Sequence, residues 1–241
     1  MADMDNEHKI AENKARLTWL GSEWGGLNID LDLVPEKSRI ISCGLDKDIS
    51  FDVELIQRKA CHIVGVDPTK RAAKTVRKLR AENRNDGRHF ELLRKAIHGK
   101  SGLQIRMGGP ASSIIASDGL TASTISLEDL VLTYSGAALL KLDVETAEFI
   151  ALETLTTRLR IPQVAIAFHI WFNTETDQHP TDGLPPHYYT SEDVREAITK
   201  MRGMGYKFVY EERRHAEWIG QETLFIRNQY ADQYHEIELM P

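Results

Sequence analysis

The sequence predicts an α/β domain: a mostly parallel, doubly wound sheet of seven strands, with helices on both faces and an antiparallel hairpin at its C-terminal end. Three observations carry this. Five short segments read as strands, those at 137–143 and 162–169 apolar nearly throughout as strands buried on both faces are, and helical patterns alternate with them. A chain of 241 residues, 41% of them hydrophobic, can bury the core that such a sheet needs in one domain. The last two strand-like segments, 205–212 and 222–228, are joined by only about ten polar residues, too few for a helical crossover, so they pair antiparallel.

Taken in order, Ile10, Ala11, Leu17 and Leu20 recur at roughly helical spacing and predict an opening helix, read as a cap over residues 1–30 on a main domain of residues 31–241. The run 38–44 is β-branched and ends in Gly44, and a helix over 50–60 follows with Ser50 as its N-cap. Strand 61–67 and helix 70–83 repeat the unit, with Ala72, Val76 and Leu79 on one helical face. A third strand is 89–93. The Gly- and Ser-rich stretch 99–124 predicts a short hairpin or loops, and a small helix follows near 126–134. Strand 137–143 is nearly all apolar and leads into a helix expected over 145–159, before the fifth apolar strand at 162–169.

Charge and composition narrow the function classes. The formal net charge is −6, which gives no electrostatic case for nucleic acid or an anionic membrane, so a small or neutral partner is expected. Cys43 and Cys61 both fall in or beside apolar strand segments, which favours reduced thiols. The polar, acidic N-terminus lacks the basic start and apolar stretch of a signal peptide, and a cytoplasmic protein is expected.

In doubly wound sheets ligands bind outside the carboxyl ends of the strands, so the residues that end each strand are the candidates. After the first strand, Gly44 permits close backbone approach and Asp48 can accept hydrogen bonds from a ligand. Asp67 ends the second strand 23 residues later, near the spacing at which a carboxylate meets a ribose diol. The loop "GLDKDIS" has one glycine and two acids where a pyrophosphate would need a glycine-lined cradle, which favours a cationic nucleoside ligand such as S-adenosylmethionine over a dinucleotide. Asp143 ends the fourth strand at the ligand edge, and Glu145 and Glu148 just beyond it read as helix-start acids. His169 ends the fifth strand beside Trp171 and Phe172, where an imidazole titrating near neutrality suits the removal of a hydroxyl proton. Residues 173–190 read as a lid or binding loop, and the ten Lys/Arg between Lys70 and Lys95 as a solvated face. No spacing of metal ligands stands out, and no metal is expected.

These motifs resemble the FkbM family of S-adenosylmethionine-dependent methyltransferases. "LLKLDVETAE" is similar to the family's K-[IL]-D-[VI]-E-G-x-E signature, "SCGLDKDISFD" and "GVDPT" to its first-strand and ribose-acid motifs, "AFH" to its fifth-strand ending, and the closing "HYYTSEDVREAITKMRGMGYKFV…ETLFIR" to its last helix and hairpin. The resemblance spans about residues 38 to 228 and implies a Rossmann-like class I methyltransferase with S-adenosylmethionine as cofactor. It implies cofactor-binding roles for Ser42, Gly44, Asp48, Asp67, Pro68, Ala96, Ile97 and Asp143, with Ala96 and Ile97 near the adenine, and catalytic roles for Asp143 and His169. It further implies O-methylation of a hydroxyl on a small-molecule or carbohydrate acceptor. Two departures stand inside the motifs: Thr146 where the signature has glycine, and Asp46 where the first loop often has a second glycine. The rival readings are an NAD(P)-dependent oxidoreductase and a non-catalytic binding module on the same fold.

Overall fold

The five segments form the parallel part of one sheet in the computed structural model, which describes residues 2–108, 119–170, 189–214 and 219–240. They are β1 (Arg39–Cys43), β2 (His62–Val66), β3 (Phe90–Leu93), β4 (Leu139–Leu142) and β5 (Gln163–Ile170), and β6 (Tyr206–Arg214) and β7 (Ile219–Arg227) complete it. Among the described residues the order is β6-β7-β5-β4-β1-β2-β3, with β7 antiparallel to both β5 and β6. The chain reverses its direction of winding between the neighbouring strands β1 and β4. This is the Rossmann-like methyltransferase arrangement that the sequence predicts.

Alternation along each strand sends side chains to two apolar layers. From β1, Ile41 and Cys43 join Leu140, Leu142, Val164, Ile166 and Phe168 on one face, while Ile40 joins Leu139 and Ile63 on the other. The first face is covered by α4 (Leu127–Thr133), α5 (Ala147–Glu153) and α6 (Ser191–Gly203), and the second by α2 (Ser50–Lys59) and α3 (Lys70–Glu82). An opening helix, α1 (Ala2–Lys14), is pinned by Asn13, whose Nδ2 donates to the Val209 carbonyl at 2.7 Å and the His235 carbonyl at 2.8 Å. Cys43 and Cys61 are both free and buried.

Three local expectations are corrected. The opening helix stops at Lys14, and Thr18–Leu20 pairs antiparallel with Leu27–Ile29 as a hairpin. Glycines 21, 25 and 26 build its turn: at Gly21, with φ +92°, a Cβ would lie 2.8 Å from the Phe51 amide nitrogen. The helix expected over 145–159 is only α5, because Glu145 (φ 52°) and Thr146 (φ 79°) are left-handed, and at its end the Thr154 hydroxyl donates to the Ile150 carbonyl at 2.7 Å. The N-terminal acceptor of α2 is Asp48 rather than Ser50: Asp48 Oδ1 accepts from the Ser50 amide at 2.9 Å, and no side chain caps from the N-cap residue itself. The hairpin expected in 99–124 is present: strands Gln104–Gly108 and Gly119–Ser126 pair antiparallel, and Ala96–His98 adds to the latter in parallel.

Candidate functional site

The exits of β1 and β4 are held together by backbone. Gly44 has φ +85°, and a Cβ there would lie 1.6 Å from the Asp143 carbonyl oxygen, so only glycine fits. Its amide donates to the Val66 carbonyl at 3.0 Å, and the Asp143 amide donates to the Cys43 carbonyl at 3.0 Å. The close approach expected of Gly44 is therefore to the neighbouring loop of the chain. Above these exits opens a cavity of about 450 Å³, a size that suits a nucleoside-bearing ligand. Gly44, Asp48, Asp67, Pro68, Ala96, Ile97, Asp143 and His169 all line it. Ser42 does not: it is fully buried in β1 beneath the cavity.

Two of the predicted acids are already engaged with the chain. Asp67, at 5% exposure, accepts from the amides of Leu45 (2.9 Å) and Asp46 (3.0 Å) through Oδ2 and from Thr69 (2.7 Å) through Oδ1. Three of the roughly four lone-pair positions of a carboxylate are thereby used. Asp67 thus fixes the 44–48 loop, and the two-oxygen grip on a diol expected of it is largely forestalled. Asp48 accepts from the Ser50 amide and from the Ser22 hydroxyl. Burial works against its charge, but the Ser22 and Ser50 hydrogen bonds outweigh it and hold the carboxyl below its usual range.

At the exits of β4 and β5 the charges interlock. Lys141, 3% exposed, donates from Nζ to the Gly44 carbonyl at 2.9 Å and to Asp143 Oδ2 at 3.0 Å. Burial opposes its charge, but Asp143 and Asp52 outweigh it and raise its pKa. Asp52 lies buried below, its carboxyl pushed up to about 6 by burial, with Lys141 pulling the other way. Glu148, fully buried, accepts through Oε1 from the His169 amide (2.7 Å), pairs with His169 Nδ1 (3.1 Å) and accepts from the Thr146 amide (3.2 Å). That contact directs Nε2 of His169 towards Asp143 Oδ1 at 3.6 Å and Glu145 Oε2 at 3.9 Å. Burial disfavours the imidazolium, yet Glu148, Asp143 and Glu145 outweigh it, and the pKa rises to about 10. Three carboxylates around the ring favour its protonated form, which works against the role of base expected from its type and position.

Sequence reading missed other parts of the site. Lys141 gave a signal, a lone lysine in an apolar strand, but its partners depend on the β1–β4 register. Glu148 does act at the start of α5, as expected of a helix-start acid, and its engagement of His169, 21 residues away, had no sequence signal. Trp24 and Gly25, from the N-terminal hairpin, also line the cavity, as do Lys95 and Arg71, whose Nε pairs with Asp46 Oδ1 at 2.6 Å. Two members of the basic run thus face the site rather than solvent alone. Trp171, Phe172 and the expected lid up to residue 188 lie outside the described residues. Among the described residues no cluster of three or more metal-ligating side chains is present, and no helix is long and apolar enough to cross a membrane.

No family model matches the sequence, and no curated protein matches it. Among solved structures, the chain is similar to the N-terminal domain of EvdMO1 in the presence of SAH and D-fucose, with a TM-score of 0.48 at 12% identity over 94% of this chain and 97% of that one. It is also similar to M. capricolum TrmK in complex with S-adenosyl-homocysteine (TM-score 0.47, 10% identity, 86% and 68% of the two chains). A SAM dependent methyltransferase from Aquifex aeolicus aligns with a TM-score of 0.40 at 11% identity over 81% and 87%.

Proposed function

We propose that this chain is an S-adenosylmethionine-dependent methyltransferase that transfers a methyl group to a hydroxyl of a small-molecule or carbohydrate acceptor. The observation that carries the reading is a nucleoside-sized cavity over the exits of β1, β2, β4 and β5, with an apolar shelf on one side and an interlocked charge cluster on the other. Val66, Pro68, Ala96 and Ile97 make the shelf, which suits a nucleobase; Lys141, Asp143, Glu145 and His169 make the other side. The 44–48 loop carries acids where a dinucleotide's phosphates would need neutral glycines, so the oxidoreductase reading has no supporting observation.

When bound, the cofactor supplies an electrophilic methyl group on a sulfonium. The residues of the chain hold and orient. Asp67 keeps the amides of Leu45 and Asp46 in place, and Lys141 fixes Asp143. In its protonated form His169 offers its Nε2–H as a donor beside the acceptor site. Proton removal falls to Glu145, which lines the cavity with its Oε2 3.9 Å from His169 Nε2. Its side chain, 43% exposed against 30% for Asp143 and none for Glu148, is also the most open to an acceptor.

Calorimetry tests the cofactor, and release of S-adenosylhomocysteine in the presence of an acceptor hydroxyl separates transfer from binding alone. The proposal predicts one-to-one binding of S-adenosylmethionine and S-adenosylhomocysteine and none of NAD; binding of NAD, or of no nucleoside, overturns it.

A further inference from the structure

The turn between Thr18–Leu20 and Leu27–Ile29 brings an aromatic side chain to the cavity that the sheet architecture does not supply. Trp24 lines the cavity and is 76% exposed. The turn that carries it is built into the site. Ser22 Oγ accepts from the amides of Trp24 and Gly25, both at 3.1 Å, and donates to the Asp48 carboxylate. The Ser22 amide donates to the Ser50 hydroxyl at 2.7 Å, and the Gly21 amide to Glu54 Oε2 at 2.8 Å. Gly25 lies flat on Asp48, since a Cβ there would come within 2.9 Å of its carboxyl carbon.

Trp24 and Asp48 thus line the cavity together, the turn that carries Trp24 being latched onto the Asp48 carboxylate. An aromatic face carries negative charge density, and a fixed carboxylate lining the same cavity adds to the field, so the pair recognises a cation and disfavours an anion. We propose that Trp24 and Asp48 form a cation-recognising wall, the indole face receiving the sulfonium end of S-adenosylmethionine. This rests on the methyltransferase reading above. The wall would hold the charged cofactor more tightly than the neutral S-adenosylhomocysteine left after transfer, which favours release of the product.

The test is calorimetric titration of the full chain with S-adenosylmethionine, S-adenosylhomocysteine and sinefungin, an analogue with an ammonium group near the position of the sulfonium. Trp24→Leu keeps apolar bulk without the ring, and Trp24→Phe keeps a ring. Trp24→Leu should weaken the two cationic ligands about 3- to 10-fold and S-adenosylhomocysteine less than 2-fold. Trp24→Phe should retain most of the preference. Equal weakening of all three ligands, or no change in any, overturns the cation wall while leaving the methyltransferase reading standing. Failure of the unaltered chain to bind any of the three overturns both.

Discussion

Thr146 carries a cost that a single substitution can read. It is a β-branched residue at φ 79°, at the position where the family signature has glycine, and left-handed backbone costs such a residue on the order of 1–3 kcal/mol. Thr146→Gly is expected to stabilise the fold by about 1 kcal/mol once glycine's greater unfolded entropy is set against the relief of strain. Urea unfolding checks this, and a less stable variant would contradict it. His169 makes a pH-dependent prediction. Its folded pKa, near 10, lies above the unfolded value of 6.5, so its contribution is whole below pH 6.5 and is lost as pH rises towards 10. His169→Asn should flatten the fall in the urea midpoint across that window, and an unchanged slope would deny the imidazolium. Glu148→Gln, which leaves the His169 cation without its closest acid, should cost about 1–3 kcal/mol. A loss under about 1 kcal/mol would show that the pair is not the anchor described.

Elements meet here through loops whose geometry side chains could not tolerate. Gly44→Ala would drive a Cβ into the Asp143 carbonyl, separating the β1 and β4 exits, and is expected to destabilise the chain by about 3 kcal/mol or more and abolish nucleoside binding. A folded variant that binds as the parent does would show that the two loops are not coupled. The N-terminal hairpin is the element least readable in advance. Its strands are three residues each, and Leu17 and Leu20 happen to fall at helical spacing, so periodicity pointed to a helix that ends at Lys14 instead. The start of α5 was hidden for another reason: Glu145 and Thr146 are left-handed, a conformation that neither residue type favours. By contrast, the seven sheet strands were legible to within a few residues, the central ones because strands buried on both faces are nearly all apolar, as "AALLKLD" is.

For the whole molecule, the architecture was readable because topology follows from a few rules: alternation gives a parallel sheet, and a short polar connection gives the closing antiparallel pair. The location of the site was readable by the same logic, since eight of the nine proposed site residues lie on the cavity and only Ser42 lies beneath it. Which partner each side chain takes was not. Asp67 serves a loop, Asp48 a turn and a helix start, and His169 a buried glutamate, and each pairing depends on strand register and loop closure that no local pattern encodes. The central claim is that a nucleoside cofactor binds in this cavity, and amide hydrogen exchange with and without S-adenosylhomocysteine tests it most directly. The account predicts slowed exchange in residues 44–48, 66–69, 95–97 and 143–147, with no change along the outer strand β6; protection elsewhere, or none at all, would contradict it.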